Sequence, residues 1–458
     1  MNVYVINPYQ ETEPHFRIAG MIPSYYSLLW NIQLYGLGYF EMKVAATAQN
    51  AALLKEGRML VRESDIIDGG ANGREYRNAM IIRRVAITYD ADLGYIMNVS
   101  GKSIKDILSQ RIIWIPIEWG DTTLDTVMTS LVRMNAADPV NFAGNYLRMA
   151  QQELYGNEQW QSNAQTVLSD AQEAYEEAQE AYEQAVAEHG EDSPEAKDAK
   201  EFVEWNAGQV KAAQEDLAAA TAAVKESQKK VEYYTWQSAV ASLRAIPYFY
   251  DMTIPLQNPP QISVQLYGEN LGDWCETIAS EYGLGWGISL YENNMYFVFA
   301  VGTDRHTTVE FSPELDNLKN AEYARDLSIY RNAGLATGEG EGYHQTVADI
   351  GTASGAARYE EYIATGLTKA ETTSDATYKK QVKQAGKSQI TKLKKHETIE
   401  GEIDADGVYK IGQDFNLGDI VAVKLSQGIT ATTRLTEILY SDEADGTKVT
   451  GTFEEWEV

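Results

Sequence analysis

Two short runs, Gly101-Lys102-Ser103 and Gly386-Lys387-Ser388, end as a phosphate-binding loop ends, with a lysine and a hydroxyl that could meet a nucleotide's phosphates. Such a loop also needs a glycine five residues upstream of the Gly-Lys pair, and those positions hold Ile96 and Gln381, so neither run can cradle a phosphate. Gly338-Glu339-Gly340-Glu341-Gly342 alternates glycines, but its two carboxylates would repel a pyrophosphate, and a flexible turn is expected. Asp404-Ala405-Asp406-Gly407 begins like a calcium loop without the later ligands, and reads as a hairpin turn. The five histidines, His15, His189, His306, His344 and His396, are scattered, with no His-Glu-x-x-His pair to bind zinc. No Gly-x-Ser-x-Gly nucleophile elbow occurs. The expectation is a protein with no catalytic residues, cofactor or metal, and not an enzyme.

With 67 acidic against 38 basic residues in 458, the chain carries a formal charge of -29. A surface of that sign disfavours nonspecific binding to nucleic acid or to anionic membranes. Cys275 is the only cysteine, which excludes an intrachain disulfide; its apolar helical setting predicts a buried core residue. No basic-then-apolar leader opens the sequence, and no apolar run approaches the 18 residues of a membrane span.

The elements that must position any site fall into two kinds. Residues 173–179 and 180–186 form a near-repeat of seven, Glu-Ala-Tyr-Glu-Glu-Ala-Gln then Glu-Ala-Tyr-Glu-Gln-Ala-Val. Around it runs an apolar stripe with alternating spacings of three and four, through Ala164, Leu168, Ala171, Tyr175, Ala178, Tyr182 and Ala185. A second stripe follows in Ala196, Ala199, Val203, Val210, Ala213, Leu217, Ala220, Val224, Val231 and Tyr234, interrupted by Asn206 and Ser227. Between them Gly190 can end one helix, and Ser193 with Pro194 can cap the next. This pattern predicts an antiparallel helical hairpin with Leu168, Ala171, Tyr175, Ala178 and Tyr182 facing Val203, Val210, Leu217, Val224 and Val231. Arms of roughly 35 to 40 residues would span about 50 to 60 Å.

Outside the hairpin, short alternating segments separated by Gly, Asn and Asp turns predict strands, as in 28–35, 83–89, 261–266, 418–423 and 433–438. Helices are expected at 102–112 and 271–282, and a hairpin pairs 287–291 with 295–301. The lysines at 379, 380, 383, 387, 392, 394 and 395 read as a solvated helix face. The fold class is α+β, divided into an N-terminal β-barrel-like domain (1–121), a helical segment with a coiled-coil hairpin (122–247), a small α+β domain (248–320) and a C-terminal β-rich domain (321–458).

Several segments resemble the Gp37-like tail-tip hub proteins of siphoviruses, found in phages and prophages of Gram-positive bacteria. Trp30 followed by Gly38-Tyr39-Phe40-Glu41 resembles an early tryptophan and Gly-x-Phe-Glu strand. Gly101-Lys102-Ser103-Ile104 through Arg111 resembles a Gly-x-Ser-hydrophobic helix ending in arginine. Gly302-Thr303-Asp304-Arg305, Tyr330-Arg331-Asn332 with Gly338-Glu339-Gly340, and Leu417-Gly418-Asp419-Ile420-Val421 resemble three further motifs in the family's order. The resemblance implies barrel-like hub domains and a homotrimer closing the distal tail tube as a ring that opens for DNA. The implied partners are the distal tail protein, the tape measure, and tip or fibre proteins. DNA would pass without specific binding, no membrane would be engaged, and the place of the protein would be the virion after synthesis in the host cytoplasm. The helical hairpin lies outside the motifs that carry the resemblance. A receptor-binding or cell-wall-degrading tail protein is the competing expectation.

Overall fold

The computed structural model describes residues 2–8, 16–251, 256–370, 372–404, 407–444 and 446–456. His15 and the centre of the 404–407 turn lie outside the described residues. Two compact units divide the chain, Asp138–Ala245 and the pair of segments Met1–Ala137 and Ile246–Val458.

The first unit is the helical hairpin, with arms Pro139–His189 and Pro194–Ala241. Each arm starts on a capping side chain followed by proline: Asp138 accepts from the Asn141 amide, and Ser193 Oγ from the Ala196 amide at 3.1 Å. Gly190 ends the first arm with φ +91°, a conformation that costs glycine little. At 51 and 48 residues the arms exceed the expected length, and the first is about 75 Å long. Its extra turns keep an apolar face through Ala143, Tyr146 and Ala150, with the Tyr146 ring stacked on Tyr234 at 5.5 Å.

The second unit is built on a thirteen-stranded sheet. Its path runs Leu318–Asp326, His396–Ile403, Gly446–Glu455, Thr430–Glu443, Ser27–Gln33, Tyr39–Ala45, Gly94–Ser103, Met80–Asp90, Met59–Arg62, Val3–Ile6 and Ile18–Ile22. Ile420–Lys424 branches from Thr430–Glu443 and pairs in parallel with Glu310–Phe311. The two ends of the chain are thus joined in one ladder, where Trp30 sits opposite Tyr440. One core lies under the N-terminal strands around Trp30, Phe40 and Leu60, and another around Phe311, Phe415 and Phe453. The barrel-like expectation needs qualification, because no ladder joins the end strands among the described residues and the sheet stays open.

A five-stranded sheet contains the expected hairpin, Gly285–Tyr291 with Met295–Ala300. It follows the helix Leu271–Tyr282, which is capped by Asn270 and ended by Gly283 at φ +63°. Cys275 is buried in that helix, and burial pushes its thiol pKa up. A two-stranded sheet pairs Ile117–Thr123 with Gln261–Leu266, and a three-stranded one (Val347–Ile350, Ala333–Thr337, Glu360–Ala364) packs on the helix Asp375–Thr391. The anticipated boundaries at 121 and 320 fall inside strands Ile117–Thr123 and Leu318–Asp326, where backbone pairing continues. The helix expected over 102–112 shrinks to Asp106–Ser109, because residues through Ser103 stay paired in the sheet. A Cβ at Gly101 would lie 1.8 Å from the Ile81 carbonyl oxygen, so only glycine allows that approach.

Candidate assembly surfaces

The runs first considered for chemistry are not brought together. Gly101-Lys102-Ser103 lies in a strand and Gly386-Lys387-Ser388 within a helix, so neither forms a loop around an anion. Gly338–Gly342 is a turn tied by Tyr378, whose hydroxyl accepts from the Glu339 amide at 2.7 Å and donates to the Leu367 carbonyl at 2.6 Å. His189 borders Glu188, His306 pairs with Asp304 at 2.6 Å, and His344 lies against Tyr343. No group of three or more potential metal ligands occurs among the described residues, and no helix there is long and apolar enough to cross a membrane. Of the lysine run, Lys380 pairs with Asp121, Lys394 with Glu454, and Lys395 with Glu397 and Glu455; Lys379, Lys383 and Lys387 are exposed on their helix.

Two motifs distant in sequence do meet. Asp419 is buried and accepts from the Thr303 amide at 2.6 Å, the Asn416 amide at 2.9 Å and Arg305 Nε at 2.9 Å. Gly302 packs on Gly418 so closely that a Cβ would come within 1.7 Å of the Gly418 carbonyl oxygen. The Gly-Thr-Asp-Arg and Leu-Gly-Asp segments therefore form one interlock that fixes the entry of strand Ile420–Lys424. Similarly, Glu437 accepts from Asn31 and Gln33, tying the first part of the chain to the last. Nearby, Lys105 Nζ donates to the carbonyls of Gln33, Leu34 and Gly36 at 2.8, 3.1 and 2.8 Å. Burial pushes its pKa down to about 7, against the pull of Glu276. Three carbonyl acceptors around one nitrogen match the three donors of an ammonium, and this geometry favours the charged form.

Within the hairpin, Leu168, Ala178 and Val224 are buried, and Ala171, Tyr175, Tyr182, Val203, Val210, Leu217 and Val231 are half-buried. The two polar interruptions are buried as well. Asn206 donates to the Phe202 carbonyl at 2.9 Å, and Ser227 accepts from Asn157 at 2.6 Å.

Sequence reasoning gave no warning of the free sheet edge. Beyond Ile82, strand Met80–Asp90 pairs only with Gly94–Ser103 among the described residues, so residues 83–90 present unpaired backbone along one side. Apolar groups decorate this stretch: Ile87 is 57%, Tyr89 69% and Tyr95 67% exposed, with Tyr89 and Tyr95 edge to face at 5.3 Å. An exposed, apolar edge strand is a ready template for another chain.

Interlocked strands, a free sheet edge and a long helical hairpin are the prominent features of the described residues. The chain matches the Siphovirus ReqiPepy6 Gp37-like protein family over residues 3–188 and 239–453, and it belongs to that family. No curated protein matches it. Among solved structures it is similar to the 43 kDa tail protein of prophage MuSo2 from Shewanella oneidensis, at 11% identity and TM-score 0.49, covering 99% of this chain and 98% of that one. It is also similar to a tail protein from Neisseria meningitidis MC58, at 10% identity and TM-score 0.47, covering 99% and 96%. A third is prophage tail protein gp18 from Listeria monocytogenes EGD-e, at 8% identity and TM-score 0.43, covering 100% and 96%.

Proposed function

We propose that this tail protein is the hub closing the distal end of the tail tube, with three copies joined edge to edge in a ring that docks tip or fibre proteins and opens for DNA. Its role in this reading is structural, without catalysis. The observation that carries the reading is the open sheet, with the unpaired edge at residues 83–90 bearing Ile87 and Tyr89. A ring of copies offers such an edge a partner, as natural proteins generally require. The charge of -29 supports passage of DNA, since an acidic wall gives phosphates no counterion-releasing contacts.

The double substitution Ile87→Lys with Tyr89→Lys tests this. Both side chains are exposed, so the isolated chain should keep its circular dichroism spectrum and melting temperature, while completed tails are lost. Normal numbers of infectious particles carrying both lysines would overturn edge pairing as the basis of assembly.

A further inference from the structure

We infer that the turn-proximal half of the helical hairpin is a docking surface for a basic protein segment, with the stacked Phe202 and Trp205 rings as its anchor. The rings lie on the second arm, outside its apolar stripe, 5.9 Å apart and 10° from parallel. Phe202 is 54% and Trp205 57% exposed. Intramolecular packing leaves both largely uncovered, and large exposed aromatics are the side chains most often buried at the centre of interfaces.

Charge decides which partner suits them. Residues 170–204 carry thirteen acidic and two basic side chains, whereas the rest of the unit, 138–169 with 205–245, carries seven and six. A second copy of the same hairpin would bring two such fields together and be repelled. An arginine or lysine, by contrast, can lie on a ring face while pairing with Asp198, Glu201 or Glu204, the acids within one turn of the rings. The family match omits residues 189–238, nearly the whole second arm with both rings. The aromatic anchor and the second-arm acids beside it therefore lie outside the family match, and their partner should be specific to the same virion.

This inference rests on the chain being a virion component, so its presence in purified particles is measured first by mass spectrometry. Absence would remove the tail reading and the docking surface together. With the chain present, a photo-crosslinking benzoylphenylalanine is placed at position 202 and, as a control, at exposed Tyr155 in the nearly neutral half, and intact particles are irradiated. The expected product at 202 joins this chain to one other virion protein within a segment rich in Lys and Arg, with no such product at 155. Phe202→Ala with Trp205→Ala should then reduce that protein in particles about tenfold or more, without loss of helical signal at 222 nm. A crosslink between two copies of this chain, a crosslink to an acidic or uncharged segment, equal products at 155, or no crosslink at 202 would each overturn the proposal.

Discussion

Replacing Asp419 with alanine removes the acceptor that holds two distant segments together. Its carboxylate takes three bonds, two from backbone amides and one from Arg305, and is itself buried. Bonds to a charged acceptor contribute about 1.5 to 3 kcal/mol each, and the two amides would be left without that partner. The low end of that range, over three bonds, gives a cost of about 4 to 5 kcal/mol for Asp419→Ala. Arg305 is only partly covered, its side chain 32% exposed, so Arg305→Met should cost about 1 kcal/mol. Asp419→Asn keeps the shape and part of the acceptor capacity, and should fall between, at about 2 kcal/mol. Urea unfolding followed by tryptophan fluorescence at constant pH measures all three. The reasoning is refuted if Arg305→Met costs as much as Asp419→Ala, because the ion pair rather than the backbone acceptance would then carry the interlock.

Three further outcomes are expected. Glu281 is half-buried against the helix Asp375–Thr391, where Ser388 and Gln384 donate to it at 2.7 and 2.9 Å; desolvation raises its pKa despite those bonds. A carboxyl raised in the folded state binds its proton more tightly there, so it adds stability as pH falls toward the unfolded value. The melting temperature of the parent relative to Glu281→Gln should therefore rise between pH 7 and pH 5, and a flat or falling difference would contradict the assignment. Asn206→Leu, which fills one of the two polar gaps in the second apolar stripe, should stabilise the hairpin by about 1 kcal/mol in melts followed at 222 nm, since a buried polar stripe residue trades stability for specificity; a lowered melting point would show that its bond to Phe202 matters more. Tyr378→Phe removes the hydroxyl bonded to Glu339 and Leu367, and should speed amide exchange at Glu339 while the core of the large sheet is unaffected. Unchanged exchange there would disprove the tether.

The hairpin was legible because its spacing repeats over many turns and both caps at its turn are written in residue type, Gly190 through its backbone freedom and Ser193-Pro194 through a capping hydroxyl and a fixed first turn. Its first turns fall within the segment expected to be helical, but their place in the apolar stripe was not legible, since Gly144 and Gly156 interrupt the pattern to which Ala143, Tyr146 and Ala150 belong. The segment 102–112 misled for the opposite reason. Ile104, Ile107 and Leu108 have helical spacing, but pairing of Gly101, Lys102 and Ser103 with the neighbouring strand outweighs local preference. The ladder between Ser27–Gln33 and Thr430–Glu443 had no local signature at all, being a contact across some four hundred residues. The same holds for the Asp419 interlock, whose two halves were visible only as separate motifs. The free edge beyond Ile82 was hidden because alternation predicts a strand without saying on which side it is paired.

Electron microscopy of isolated tails with class averages of the distal end tests the hub reading most directly, once antibody labelling has located this chain. Three copies in a ring with three-fold symmetry at the tube's end are predicted. Labelling along the tail shaft, or a single copy without rotational symmetry at the tip, would contradict it.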